Sequence, residues 1–220
     1  MFKIFFKLKI FSLALIFAYS ISSAQQSKLS KSVNEISNYI ASEQFAEIRN
    51  TYRDLASVDS IYLKALEINN NDYSETLLSL TFATVPYKEV PIQIPLIKVI
   101  LNYPLISACD SIFNSKNENL PRYIFFDSPM DSYGDKDKLA HFFGSAFISY
   151  SSNIFDFGNP IGYFIEVFEE TFKVQAYVDE RDLMTNNLGN IFGKMLKQNK
   201  NILPSQIIIL KTLSYFKYTL

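Results

Sequence analysis

The sequence predicts an all-α protein, a compact helical bundle with one proline-rich irregular segment, preceded by a cleaved signal peptide. Three observations support this prediction. Apolar residues recur at helical spacing along most of the chain. Four of the eight prolines fall within residues 84–108. All six glycines lie between Gly134 and Gly193, so the first half has no residue suited to the tightest turns. With 220 residues, the chain is long enough to bury one sizeable core.

Residues 1–24 have the three parts of a secretory signal peptide. Lys3, Lys7 and Lys9 form a basic start, residues 10–21 are uncharged and apolar, and residues 22–24 are small. The apolar run is short for a membrane span, so cleavage is favoured over anchoring. We therefore expect an exported protein, periplasmic or elsewhere in the cell envelope, with membrane association as an open alternative.

Charge and cysteine content exclude several classes of function. Removal of residues 1–24 takes away three lysines and no acid, so the formal net charge falls from −1 to −4. A mildly acidic chain without a basic tract argues against a nucleic-acid partner. Cys109 is the only cysteine, which excludes an internal disulfide and the usual thiolate metal sites.

Residues 25–120 are predicted to form a helical N-terminal region. A capping box at residues 32–35 predicts a helix that runs to about Leu55. A break near Ser57 separates it from a short helix over residues 59–68. Residues 69–72 predict a turn, and Asp72 or Ser74 is expected to cap a helix over residues 75–83.

Residues 84–108 form a proline-rich strap within this region. Prolines at this density exclude a long helix. We expect an extended apolar segment followed by short helices from about Pro95 and Pro104. Two interpretations remain, an irregular strap packed on the core, which we prefer, and a segment that binds a membrane surface or an envelope protein partner.

Residues 121–200 carry three polar clusters, and the first contains the only histidine. Asp135 is predicted as the N-cap of a helix with Asp137 in its first turn. Asp137 and His141 are four residues apart, so they share one face of this helix. The carboxylate is placed to orient the imidazole. The alternative is a capping Asp137 and a histidine that is merely satisfied inside the core.

The second and third clusters lie on two further predicted helices. Glu166, Glu170 and Lys173 lie within an apolar helix over residues 161–178, where charged groups need neutralising partners. Asp182, Asn186, Gly189 and Gly193 fall on one face of the next helix. The two glycines predict the close approach of another helix. Lys173 and Arg181 are candidate ion-pair partners for these acids, and residues 201–220 predict a last apolar helix from about Pro204.

Two interpretations of these clusters remain open. The preferred one is an interhelical polar network, structural or ligand-binding, whose members are Asp137, Lys138, His141, Glu166, Glu170, Lys173, Asp182 and Asn186, completed by Gly189 and Gly193. The alternative is a metal-dependent or acid/base hydrolase acting on an envelope lipid or cell-wall fragment. His141 and Glu170 would then be catalytic, and a divalent metal would be held by Asp137, His141, Glu170 and Asp182. No cofactor is predicted, no small-molecule ligand is specified, and a non-enzymatic role is favoured.

The order and spacing of these clusters provide a family resemblance. Residues 135–195 contain Asp-Lys-x-x-His-Phe, then Glu-x-x-Lys, then Asp-x-x-x-Asn-x-x-Gly. This order resembles the YfiM-like predicted periplasmic proteins and, more distantly, the VanZ-like set of small helical membrane proteins. VanZ-like proteins have several membrane spans and usually carry Gln where Lys173 stands, so the YfiM-like resemblance fits better. It implies an envelope protein without an established reaction, and it does not cover residues 25–120.

Overall fold

The computed structural model describes residues 28–93, 100–151 and 180–216. These residues are mostly helical with one small two-stranded sheet, so the all-α prediction is confirmed. No helix among them is long and apolar enough to cross a bilayer. The elements in chain order are α1 (28–41), α2 (Glu43–Ile68), α3 (Tyr73–Thr84), β1 (Glu89–Gln93), β2 (Ile100–Pro104), α4 (Asp110–Asn119), α5 (Lys138–Ser151), α6 (Glu180–Gln198) and α7 (Pro204–Phe216).

The N-terminal helices begin and break at positions other than those predicted. Residue 28 is already helical, so the predicted capping box at Ser32 is wrong. Ser32 instead donates a hydrogen bond to Asn69 Oδ1 at 2.8 Å. Ser42 is the cap of α2, since its hydroxyl accepts the N–H of Phe45 at 3.2 Å. The break predicted near Ser57 occurs at Arg53, which has a φ of 71°.

The turn between α2 and α3 confirms the prediction from its sequence. Asn70 and Asn71 have φ values of 53° and 62°, a left-handed conformation that asparagine tolerates better than most residues. The carboxylate of Asp72 then accepts the N–H of Glu75 at 3.1 Å and caps α3. This compact turn folds α3 back on α2 and places α3 against α5.

The proline-rich strap contains a β-hairpin. Strands β1 and β2 are antiparallel, with Glu89 opposite Pro104 and Gln93 opposite Ile100. The helix predicted from Pro104 is therefore wrong, because Pro104 ends a strand and the next helix starts at Asp110. Alternation of prolines with Val and Ile suits an edge strand, where a missing N–H is tolerated. Pro95 lies outside the described residues.

A buried lysine ties the strap to α4. Lys116 Nζ donates to the carbonyl oxygen of Val85 at 2.5 Å and lies 4.7 Å from the ring centre of Phe113. Burial lowers the pKa of Lys116 to about 7, because a charged ammonium loses its hydration there. Asn117 adds a hydrogen bond to the carbonyl oxygen of Pro86 at 3.0 Å.

The core joins residues from both predicted regions. Phe142 on α5 lies 5.3 Å from Phe192 on α6, measured between ring centres, and Tyr62 on α2 lies 5.5 Å from Phe192. Aromatic pairs of this kind contribute roughly 0.5–1.5 kcal/mol each beyond their buried area. The last helix starts at Pro204, as predicted. It is anchored to α2 by Ser205, whose hydroxyl donates to Asp59 Oδ2 at 2.6 Å.

Candidate functional site

The loop that precedes α5 carries the first residues of the first polar cluster. Gly134 has a φ of 58°, and a side chain there would collide with the backbone of Arg122. The prediction of Asp135 as an N-cap is wrong, because its fully buried carboxylate accepts hydrogen bonds from Ser128 and Arg181. Asp137 stands just ahead of the helix, since its carbonyl oxygen accepts the N–H of His141 at 3.3 Å.

Arg181 of α6 holds this loop through two of its acidic side chains. Its Nη1 lies 2.9 Å from Asp127 Oδ1, and its Nη2 pairs with Asp135. Lys211 of α7 also binds Asp127, with Nζ at 2.6 Å from Oδ1. The loop is therefore tied to both C-terminal helices, which places Asp137 beside α6.

Gly189 and Gly193 let α5 and α6 pack with their backbones in close contact, as predicted. A Cβ at Gly189 would lie under 3.0 Å from the carbonyl oxygen of Phe142, and one at Gly193 would meet that of Ala146 in the same way. Real Cβ atoms do not approach this closely. The two carbonyls lie one turn apart on α5, so the backbone of α5 contacts the two glycines of α6 over a full turn.

Lys138 lies at the centre of the site and bridges two carboxylates. Its Nζ is 2.5 Å from Asp182 Oδ1 on α6 and 3.2 Å from Asp137 Oδ2. Lys138 and Asp182 are each only 5% exposed. An ammonium buried to this degree is tolerated only when it is paired, so Lys138 depends on these two carboxylates.

Two side chains of α6, Asn186 and Asp182, lie next to the two ring nitrogens of His141. Its Nδ1 lies 3.2 Å from Asn186 Oδ1, which also accepts the hydroxyl of Ser145 at 3.0 Å. Because an amide oxygen only accepts, Nδ1 carries the proton and Nε2 carries the lone pair of the neutral ring. Nε2 lies 3.5 Å from Asp182 Oδ2. Burial lowers the pKa of His141, and the nearby carboxylates of Asp182 and Asp137 only partly oppose this shift.

The structure therefore brings together five of the predicted network residues, Asp137, Lys138, His141, Asp182 and Asn186. Glu166, Glu170 and Lys173 lie outside the described residues.

Sequence reasoning missed two residues beside the site. Ser145 follows His141 by four positions on α5, and this spacing is a signal that could have identified it. Tyr133 comes from the loop, where no periodic pattern exists. Burial, followed by the negative charge of Asp137, raises the pKa of its hydroxyl.

Three of the four predicted metal-ligating residues converge. Asp137, His141 and Asp182 each offer one ligand atom, and these atoms lie within 4.8 Å of one another. The fourth, Glu170, lies outside the described residues. The described part of the site can thus supply one nitrogen and two oxygen ligands from two helices.

The chain matches no protein-family model, no curated protein and no solved structure.

Proposed function

We propose that this chain is an exported, YfiM-like cell-envelope protein whose buried polar network holds α5 and α6 in one fixed arrangement. The single observation that supports this role is the position of Lys138. Its ammonium lies between carboxylates from the start of α5 and from α6, and all three groups are largely buried. Residues 1–24, with their basic start and apolar run, resemble a signal peptide and support a location in the cell envelope.

The proposed role is one of specificity more than of gross stability. An ion pair buried between helices gains little net free energy over apolar residues of similar volume, because both charges lose their hydration. Breaking it by removing one partner is costly, at roughly 3–5 kcal/mol. A helix pair that slides or rotates would separate Lys138 from Asp182, so only one register keeps the charges paired.

The hydrolase alternative is less well supported by the geometry of His141. A general base must reach the proton that it removes from the substrate or from a water molecule. His141 is 1% exposed, and its Nδ1 is engaged by Asn186. A ring held in this way is suited to joining helices. The hydrolase stays a prediction whose only support among the described residues is the convergence of Asp137, His141 and Asp182.

The helix-holding role is tested by a double-mutant cycle on Lys138 and Asp182. Lys138→Met leaves two buried carboxylates near each other, and we expect a loss of roughly 3–5 kcal/mol in the free energy of unfolding. Adding Asp182→Asn to Lys138→Met should recover part of this loss. Asp182→Asn alone completes the cycle, and we expect a coupling energy of about 1–3 kcal/mol. Urea unfolding of metal-free protein followed by circular dichroism measures both quantities.

Lys194→Met is the matched control, since Lys194 is an exposed lysine on α6, the helix that carries Asp182. We expect a change within about 0.5 kcal/mol for this control. Equal, small effects of Lys138→Met and Lys194→Met would refute the proposed role.

The proposed location in the cell envelope is tested separately by cell fractionation. The full chain with a C-terminal tag, expressed in a bacterial host, should appear in the envelope fraction with a mass that lacks residues 1–24. A version that starts at residue 25 should remain in the cytoplasm. Recovery of the uncleaved full chain from the cytoplasm would contradict the proposal.

A further inference from the structure

We propose that Asp137, His141 and Asp182 bind one divalent transition-metal ion, with Lys138 remaining in place as an outer partner of both carboxylates. The inference rests on the same α5–α6 packing as the proposed function, and it assigns a ligand class to that network. Each of the two carboxylates binds Lys138 through one oxygen and has a second oxygen that Lys138 does not bind.

Lys138 uses only one oxygen of each aspartate. It binds Oδ1 of Asp182 and Oδ2 of Asp137. The second oxygen of Asp182 lies toward His141, at 3.5 Å from Nε2. The second oxygen of Asp137 is buried and has no hydrogen-bond partner among the described residues. A buried acceptor left in this state is unfavourable, and a bound cation would satisfy it.

The orientation of the imidazole also favours a cation. With its Nδ1 proton donated to Asn186, the neutral ring directs the Nε2 lone pair toward the Asp182 carboxylate. Two electron-rich atoms then face each other across 3.5 Å, an arrangement that a shared cation stabilises. Asn186 would serve as the outer partner that fixes the tautomer, a common feature of metal-bound histidines.

The charge of the cluster is compatible with a dication. Among the residues that the structure describes, two carboxylates and one ammonium give the group a net charge of about −1 when the imidazole is neutral. A divalent ion would therefore enter an environment of opposite sign even with Lys138 present. Asp137 has a side-chain exposure of 20%, which makes it the most exposed of these three charged side chains.

The ligand types and spacing indicate the class of metal. One imidazole nitrogen with two carboxylate oxygens suits Zn²⁺ or Mn²⁺ better than the all-oxygen environment preferred by Ca²⁺ or Mg²⁺. Ligand atoms on one tetrahedral ion lie about 3.4 Å apart, for bonds of about 2.1 Å. The widest spacing in the cluster, up to 4.8 Å, has to close by up to about 1.4 Å, and rotation of a carboxylate supplies this change.

The test is a calorimetric titration of untagged, chelator-treated full chain with Zn²⁺ alone and with Mn²⁺ alone. Cys109→Ser is the background for every variant, because Cys109 is exposed and its thiolate binds zinc. We expect one saturable ion per chain and an increase in Tm with metal concentration. Ca²⁺ should bind at least about tenfold more weakly than Zn²⁺.

Two variants separate this site from other acids of the surface. Asp137→Asn removes a ligand charge, and we expect an affinity for Zn²⁺ lower by about tenfold or more. Asp131→Asn is the matched control, since Asp131 is an exposed acid of the same loop outside the cluster. Unchanged Zn²⁺ affinity in Asp137→Asn, or the lack of saturable binding by the parent chain, would overturn the inference.

The outcomes also separate this inference from the proposed function. A metal-free chain that is destabilised by Lys138→Met but binds no Zn²⁺ overturns the metal site alone. A chain that binds one Zn²⁺ through Asp137 but tolerates Lys138→Met in the metal-free state overturns the helix-holding role alone.

Discussion

Replacing Gly189 with alanine tests the close packing of α5 and α6, on which the whole site depends. The new Cβ would lie under 3.0 Å from the carbonyl oxygen of Phe142 and 3.0 Å from Ser145 Cβ. The first of these is a backbone atom inside a helix, so it cannot rotate out of the way. The two helices must therefore move apart around position 189.

The expected loss follows from three contributions. Overpacking of a well-filled contact costs about 1–3 kcal/mol. The better helix propensity of alanine returns about 1 kcal/mol. Separation of the helices also stretches the bonds of Asn186 to His141 and Ser145, at about 1 kcal/mol for each bond lost. The net loss should be about 2–4 kcal/mol, or roughly 4–16 °C in Tm for a protein of this size.

Asn187→Ala is the matched control for this substitution. Asn187 is exposed on α6, so alanine there changes helix propensity without entering the contact. We expect this variant to be equal to the parent or more stable by up to about 0.5 kcal/mol. Urea unfolding followed by circular dichroism compares the three proteins. If Gly189→Ala matches Asn187→Ala in stability, the close backbone contact described for α5 and α6 does not exist.

Three further predictions concern residues outside the network. Because burial lowers the pKa of Lys116 to about 7, the unfolded chain binds more protons between pH 7 and 10.5. Stability should therefore rise with pH across this window by at most about 4–5 kcal/mol, and Lys116→Met should flatten the rise in urea titrations. Arg181→Lys should lose roughly 2–4 kcal/mol, since one ammonium cannot replace the forked contacts to Asp127 and Asp135, and thermal unfolding identical to the parent would exclude this. The hydroxyl of Ser111, then the N–H of Ile112, lowers the pKa of the exposed Cys109. Its reaction with a thiol reagent at neutral pH should be slower in Ser111→Ala, and equal rates would contradict that cause.

Periodic patterns in the sequence predicted the helical part of the site. Asp182, Asn186, Gly189 and Gly193 follow the helical repeat, so their common face follows from their spacing alone. Asp137 and His141 also lie close together as their four-residue spacing predicts, although Asp137 stands just ahead of α5 and not in its first turn. The helix start at Pro204 follows from the proline itself. Each of these predictions depends only on residues within one turn or a few turns of each other.

The wrong predictions, for the cap at Asp135 and for the helix from Pro104 in the strap, have a different origin. Asp135 has the residue type and position of an N-cap, yet its carboxylate pairs with Arg181, which lies 46 positions later in the chain. The strap has the prolines that exclude a long helix, but only pairing between its two halves decided that it forms a hairpin. Both outcomes depend on contacts between distant residues, which local spacing does not encode.

The sequence by itself determined that this protein is helical and that its polar residues occupy defined faces of two helices, because both properties follow from spacing along the chain. Only the tertiary structure decided that these two faces meet. It placed Lys138 between Asp137 and Asp182, and it directed Nε2 of His141 toward the remaining oxygen of Asp182. These distances depend on how closely α5 and α6 approach, and that approach is set by packing at Gly189 and Gly193.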